Sequence, residues 1–223
     1  MIGFPVPELT QHADQTAILN IADILYPGFM ERDSETQELR MWVSGDQRTD
    51  DLAEAETRAR NRFRKILGVL RAQKFGRGEL QSEIERSATR DEFGNQVIRV
   101  GTLRIHPFSA GPLADLASRA ATGVTKSPNL ESALRILGKP NREAVDYNNI
   151  YELAEMEFGE RNGIRQALGL SGNRQDEFTK SANQLAPSNG GRHAKGDPGQ
   201  ATMSLEDLSR FGSELVKAWI NRY

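Results

Sequence analysis

The sequence predicts an α+β fold, in which a small mixed α/β region comes first and an all-α helical bundle follows. Strand-like segments fall in the first half of the chain, whereas after Pro128 the apolar residues recur at spacings of three and four. Between the two halves, residues 106–129 are punctuated by prolines and glycines, a composition typical of a domain connection. We therefore expect an α+β domain at 1–108, a connection at 109–128 and a helical bundle at 129–223.

Four segments define the first half. Apolar and polar residues alternate over 38–44, which predicts a strand with one covered face. The segment 49–72 begins with Thr49 and two aspartates and continues with apolar residues at helical spacing, which predicts a capped helix. β-Branched residues make 96–105 a strand or the return arm of a hairpin. Residues 15–26 are apolar enough to be buried, but their period does not distinguish helix from strand.

The later turns of the 49–72 helix are rich in cations, namely Arg58, Arg62, Arg64, Lys65 and Arg71. Such a face could bind nucleic acid. Early acids and late bases are also what a solvated helix carries, because they complement its dipole. The sequence favours this second interpretation.

The second half reads as a series of amphipathic helices. A helix at 129–138 has Asn129 as its expected N-cap, and the final helix opens with Ser204 and Asp207 at capping-box spacing. Leu113 to Ala121, inside the predicted connection, also have an apolar pattern that suits a short helix. The helices expected after Pro128 are 129–138, 146–159, 160–169, 174–185 and 204–222.

Composition excludes several classes of protein. The chain has 223 residues, 29 Lys+Arg against 31 Asp+Glu and a formal charge of −2, so no global charge attracts it to nucleic acid or to an anionic membrane. Without cysteine there is no disulfide, thiolate metal site or thiol nucleophile, which suits a cytoplasmic protein. No apolar run approaches the ~18 residues of a membrane span, and the N-terminus has no signal-peptide pattern. We expect no membrane association.

The common enzyme signatures are also missing. No P-loop, GxSxG or HExxH motif occurs, and the glycines form no dinucleotide fingerprint. The three histidines are isolated from one another, so a histidine-rich zinc site is not expected. The sequence therefore predicts neither a metal nor a cofactor.

The order of segments over 129–223 resembles a known family. It runs NLESALRILG, NNIYELAEMEFG, DEFTKSANQLAPSNGGRHAKG and MSLEDLSRFGSELVKAWI. The most specific pieces are Tyr151 with Glu152 and Glu155, the SAN at 181–183, the Arg192-His193 pair, and the terminal helix with Trp219. This region resembles the C-terminal helical part of uncharacterised bacterial proteins with HEPN-like domains. The resemblance implies a four- or five-helix bundle that often dimerises, and metal-independent ribonuclease activity in toxin and antiviral systems.

The spacing of arginine and histidine in this chain differs from the catalytic signature of that family. In HEPN-like ribonucleases an arginine precedes a histidine by four to six intervening residues. His193 instead follows Arg192 directly, and the next arginine upstream is Arg174. Arg99 and His106 have the required spacing, with six residues between them, but lie on the predicted 96–105 strand and its end. The sequence therefore favours a binding role over a catalytic one.

The candidate site centres on the loop SNGGRHAKGDPG at 188–199. A histidine that titrates near neutral pH, flanked by cations, could hold a phosphate and donate a proton to a leaving oxygen. The alternative is that these residues cap a helix or hold the loop against the acidic 152–157 face. The catalytic candidates are His193 and Arg192, and the binding candidates are Lys195, Asn183, Glu152 and Tyr151.

Three functions remain open at this level. The favoured one is a non-catalytic, homodimeric binding or assembly module of a bacterial defence or toxin–antitoxin-like system, with a protein partner or RNA as ligand. The second is a metal-independent HEPN-like ribonuclease that uses His193. The third is a structural protein of phage origin.

Overall fold

The structure, a computed structural model, describes residues 2–6, 12–32, 34, 39–43, 52–73, 87–90, 96–99, 110–139, 141–184 and 201–223. Within these ranges the chain is predominantly helical. The helices are α1 (His12–Leu25), α2 (Leu52–Gln73), α3 (Ala110–Lys126), α4 (Pro128–Leu137), α5 (Ala144–Phe158), α6 (Arg161–Leu168), α7 (Gly172–Gln184) and α8 (Leu205–Ile220). The strands are β1 (Ile2–Val6), β2 (Met30–Arg32), β3 (Leu39–Val43), β4 (Ser87–Arg90) and β5 (Gln96–Arg99).

The strands form two small antiparallel sheets. β3 is the central strand of the first sheet, with β1 and β2 on either side, and β4 pairs with β5 in the second. The strand with one covered face that was predicted over 38–44 is β3, in which Leu39 and Met41 are both buried. The predicted 96–105 strand is confirmed over Gln96–Arg99, and its remainder lies outside the described residues.

The ambiguous segment 15–26 is helical. It falls largely within α1, where Ile18, Ile21, Ala22 and Leu25 are buried on one face while Asn20 and Asp23 are exposed. These buried positions follow a helical spacing.

Helix α2 lies at the centre of the molecule. It packs against α1, α3, α4, α8 and β3, and every residue from Ile66 to Ala72 is buried. Two glycines bring it close to α4, because a Cβ atom at Gly68 would overlap the backbone of Leu134 and one at Gly138 would overlap the backbone of Arg64. The buried apolar residues therefore form one continuous cluster from Ile18 to Ile220.

The segment 109–128, predicted to connect two domains, is mostly the helix α3. Its apolar face contributes Leu113, Leu116, Ala117 and Ala120 to the same core, as the apolar pattern in this segment suggested. Pro112 lies in the first turn, where a missing backbone N–H breaks no intrahelical bond. Proline and glycine therefore do not interrupt the fold at this point. The division of the chain into independently folding units stays a prediction.

The helix caps agree with the sequence at α8 and differ at α4. At α8, Ser204 and Asp207 form the predicted capping box. At α4 the N-cap is Ser127, whose Oγ accepts a hydrogen bond from the Leu130 backbone N–H at 3.0 Å, rather than the expected Asn129. Pro128 suits the first helical position, which moves the cap back to the residue before it.

The second half of the chain is the helical bundle that the sequence predicts. Trp219 of α8 is fully buried and its ring centroid lies 5.3 Å from that of Phe158. Phe178 of α7 stacks on Phe211 of α8 with a centroid distance of 4.4 Å. No helix in the described parts of the chain is both long and apolar enough to span a bilayer.

Candidate functional site

Helix α5 carries two of the predicted binding residues, Tyr151 and Glu152. Tyr151 is only 3% exposed. Its hydroxyl donates a hydrogen bond to Gln175 Oε1 at 2.9 Å, and Gln175 Nε2 donates in turn to the Leu170 carbonyl at 3.0 Å. The Tyr151 ring also packs on that of Phe178, at 5.6 Å between centroids. Tyr151 therefore joins α5 to α7 through a buried polar chain.

The environment of Tyr151 determines its protonation. Burial, and next the nearby carboxylate of Glu155, raise the pKa of the Tyr151 phenol to about 12. The hydroxyl is consequently neutral at physiological pH and acts as a hydrogen-bond donor. It is not poised to act as a base.

The outer side of α5 carries several carboxylates. Glu152 accepts a hydrogen bond from Asn148 Nδ2 at 2.8 Å. Burial, followed by the like charges of Glu152 and Glu160, raises the pKa of Glu155. Glu157 points to different partners, because it accepts from Asn129 Nδ2 at 3.0 Å and from the Tyr223 hydroxyl at 3.3 Å. Among the described residues, no group of acids or histidines has an arrangement that could hold a metal ion.

Ser181, the serine of the SAN segment at 181–183, has a structural role. Ser181 Oγ accepts hydrogen bonds from the backbone N–H groups of Thr202 and Met203, at 3.1 and 3.0 Å. Ser181 therefore joins the last turn of α7 to the residues just before α8. Arg192, His193 and Lys195 lie outside the described residues, so their roles stay predictions.

Asn183, the remaining predicted binding residue, lies in the last turn of α7. Its Oδ1 atom is buried, as is Oε1 of the adjacent Gln184, and neither has a hydrogen-bond partner among the described residues. Gln175, the partner of Tyr151, lies in the first turn of the same helix. The predicted residues thus occupy two places, Tyr151 and Glu152 on α5 and Asn183 at the far end of α7.

The cations of α2 form a second candidate site, and most of them have assigned partners. Arg58 pairs with Glu54 at 2.7 Å, and Lys65 pairs with Glu131 of α4. Arg62 lies over two aromatic rings, 5.4 Å from the centroid of Tyr26 and 5.6 Å from that of Phe29. These contacts within the fold agree with the interpretation of α2 as an ordinary amphipathic helix.

Arg71 differs from the surface cation that the sequence suggests, because it is only 5% exposed. Its Nη1 donates to the carbonyl of Leu137 at 2.7 Å and to that of Lys139, so it binds the C-terminal end of α4. Arg142 Nη1 donates to the Lys139 carbonyl as well, at 2.7 Å. Burial, and then the like charge of Arg142, lower the pKa of Arg71 to about 9. Two guanidinium groups therefore satisfy the negative end of this helix.

Arg64 is left in a different environment from the other α2 cations. Arg60 precedes it by one turn on the same face, and Arg135 approaches from α4. Burial, and after it the like charges of Arg60 and Arg135, lower the pKa of Arg64. The spacing of Arg60 and Arg64 was visible in the sequence, but nothing there indicated that Arg135 lies beside them.

Comparison of the chain with protein-family models, with curated proteins and with solved structures finds no match.

Proposed function

We propose that this chain is a non-catalytic binding and assembly module, whose HEPN-like bundle forms a homodimer in a cytoplasmic bacterial defence or toxin–antitoxin-like system. The observation that carries the proposal is the packing of α4, α5, α7 and α8 around a shared set of buried rings. The rings are those of Tyr147, Tyr151, Phe178, Phe211 and Trp219. In this proposal the module recognises a protein partner or RNA without cleaving it.

The environment of Tyr151 supports binding rather than catalysis. Tyr151 lies inside the bundle and bonds to Gln175, so the sequence motif around it is accounted for by helix packing. The spacing of arginine and histidine that HEPN-like ribonucleases use is absent from 129–223. Both observations favour a bundle that presents a surface to a partner.

Dimerisation is the direct test. We expect sedimentation velocity to show a dimer over the micromolar range. Met156 of α5, 74% exposed, is the described large apolar residue most open to a partner, so Met156→Glu is the first variant to compare with wild type. Gln166→Glu, at an exposed position of α6, adds the same single negative charge and is the control. A wild-type protein that remains monomeric throughout this range would refute the homodimer.

The alternative function is a metal-independent ribonuclease that uses His193. It is favoured by the anchoring of Thr202 and Met203 on Ser181, which ties down one end of the segment that carries His193. RNA cleavage in the presence of a chelator tests it. If cleavage occurs, His193→Ala should abolish it and His12→Ala should leave it unchanged. Cleavage that survives His193→Ala would exclude His193 as the acid or base.

A further inference from the structure

Helix α5 has one side that stays accessible to solvent. The helix packs against α4, α6, α7 and α8. Val145, Asn149 and Met156 share the remaining side, because spacings of four and seven residues return to the same face of a helix. Val145 and Asn149 are half-buried, and Met156 is 74% exposed. These three residues form the outer face of α5.

Met156 is the apolar centre of this face. Among the large apolar residues in the described parts of the chain, it alone is exposed. The other described methionines, Met30, Met41 and Met203, are buried or half-buried. A methionine side chain is flexible and polarisable, so it adapts to apolar surfaces of different shapes and is frequent where proteins bind partners. Met156 therefore offers apolar surface that the single chain leaves uncovered.

Carboxylates border the outer face at the C-terminal end of α5. Glu155 directly precedes Met156, and Glu160 follows the last helical residue by two positions. The last turn of α5 contains no basic residue, although the carbonyl end of a helix is where cations are favoured. Burial, and after it the like charges of Glu152 and Glu160, raise the pKa of Glu155. The negative end of this helix thus carries additional negative charge.

The side chains of Glu155 and Glu160 form no ion pair with another described residue. Arg161, the cation that follows Glu160 in the sequence, is bound instead to Asp176 of α7 at 2.8 Å. Glu152 has a hydrogen bond within α5 and is not part of the surface considered. Acids that oppose the helix dipole without compensation in the fold are typical of a functional surface.

These features define the chemistry of a partner. An apolar side chain would cover Met156, and lysine or arginine side chains beside it would meet Glu155, Glu160 and the negative end of α5. An amphipathic segment with cations next to its apolar residues supplies both groups. The phosphates of RNA would be repelled by the same carboxylates, and a second copy of this face would bring like charges together.

We propose that the outer face of α5, with Glu155 and Glu160 beside it, is a docking surface for a cationic amphipathic segment of a protein partner. This inference rests on the proposed function and deepens it by naming the chemistry of the protein partner. It also means that the homodimer uses a different surface, so replacement of Met156 should leave the sedimentation of the free protein unchanged.

The test uses the full chain and a short, fluorescein-labelled amphipathic peptide of leucine and lysine, whose binding is followed by fluorescence anisotropy. Two related peptides separate the contributions: one has glutamate in place of lysine, and the other has glutamine in place of leucine. Both should bind more weakly than the leucine-lysine peptide. If that peptide does not bind at low ionic strength, or if the glutamine-lysine peptide binds equally well, the proposal is wrong.

Variants identify the residues responsible. Met156→Ala should weaken binding of the leucine-lysine peptide about tenfold, the scale of a central contact in an interface. Glu155→Gln and Glu160→Gln should each weaken it about two- to fivefold and make it less sensitive to salt, because exposed ion pairs contribute little individually. Met156 and Glu160 are exposed, so their replacement tests the face without disturbing the core.

Matched controls separate this face from general charge attraction. Asp115→Asn on α3 and Glu206→Gln on α8 remove the same negative charge from acids that pair with arginines on their own helices. They should change the affinity for the peptide by less than about twofold. Losses in these controls equal to those in Glu155→Gln and Glu160→Gln would refute a localised docking surface.

Two measurements test the other occupants of the face. If a single-stranded RNA oligonucleotide displaces the peptide and loses affinity in Met156→Ala, the face binds RNA and the proposal is wrong. If Met156→Ala converts a dimer to a monomer without peptide, a second copy covers the face and the proposal is equally wrong. A monomeric wild type that binds the peptide here would refute only the homodimer, and a dimer that does not bind it would refute only the docking surface.

Discussion

At Gly68, α2 lies so close to the backbone of α4 that a side chain does not fit between them. In Gly68→Ala the new methyl group would overlap the backbone of Leu134, which cannot rotate away as a side chain can. We expect a loss of about 1–3 kcal/mol or more in the free energy of unfolding, measured by urea denaturation.

A second glycine provides the control for this substitution. In Gly172→Ala the three atoms nearest to the added methyl group belong to the flexible side chain of Arg161, so the free energy of unfolding should change by less than about 1 kcal/mol. If both variants were equally stable, α2 and α4 would not be in the close contact described.

Tyr151 is a residue whose hydrogen bond can be removed without changing its ring. Tyr151→Phe leaves Oε1 of the buried Gln175 without its donor. We expect a loss of about 1–3 kcal/mol in denaturant unfolding, the usual cost of a buried polar group left unpaired. Tyr223→Phe, which removes a weaker contact of 3.3 Å with Glu157 near the chain terminus, should cost less. The reverse order would contradict the buried polar chain.

The same tyrosine should make stability depend on pH under alkaline conditions. The pKa of Tyr151 is about 12 in the folded protein, against about 10 for an unperturbed tyrosine. Between these values the unfolded chain loses a proton that the folded chain keeps, so the free energy of unfolding falls as pH rises. The stabilisation is complete below about pH 10. When unfolding is measured at a series of pH values, the free energy of unfolding should fall less with rising pH in Tyr151→Phe than in wild type. An equal fall in both proteins would mean that other groups cause the pH dependence.

At the scale of elements, Ser181 connects the end of α7 to the approach to α8. Its hydroxyl serves two backbone N–H groups, so Ser181→Ala should cost about 1–3 kcal/mol and speed hydrogen exchange at the amides of Thr202 and Met203. Ser118→Ala is the matched control, because that hydroxyl only donates to the Ala114 carbonyl on an exposed face of α3. Unchanged exchange at both amides would mean that Ser181 does not anchor this segment.

Also at this scale, the elements defined by local chemistry were predictable. Strand β3 and the capping box of α8 follow from alternation and from residue types a few positions apart. The N-cap predicted for α4, Asn129, lies two residues after the observed one, Ser127. Both residue types are good N-caps, and Pro128 favours Ser127 because proline suits the first helical position. Helix α3 was recognised only as an apolar pattern inside a connection, since prolines and glycines obscured its start.

At the scale of the whole molecule, the continuous core predicts a single unfolding transition. α2 packs on β3, α1, α4 and α8, so the two halves of the chain share buried surface. The chain has two tryptophans, Trp42 in β3 and Trp219 in α8. In Trp42→Phe the remaining fluorescence reports on α8, and in Trp219→Phe it reports on β3.

We expect the fluorescence midpoint to coincide with the far-UV circular dichroism midpoint in each of these variants. Conservative replacement of the buried Trp219 should shift both midpoints together. Separate midpoints would show instead that residues 1–108 unfold independently of the helical bundle.

Local sequence patterns are enough to predict that the chain is mostly helical after Pro128, where its helices run and how α8 begins, because periodicity and capping act over a few residues. Tertiary structure decided which helix is central, that Arg71 is buried against α4 rather than solvated, and that Arg135 lies beside Arg64. The contact between Arg71 and Leu137, for example, joins residues 66 positions apart in the sequence. Such contacts are set by how two surfaces fit, here through glycines with no side chain to separate them, and no local pattern encodes that fit.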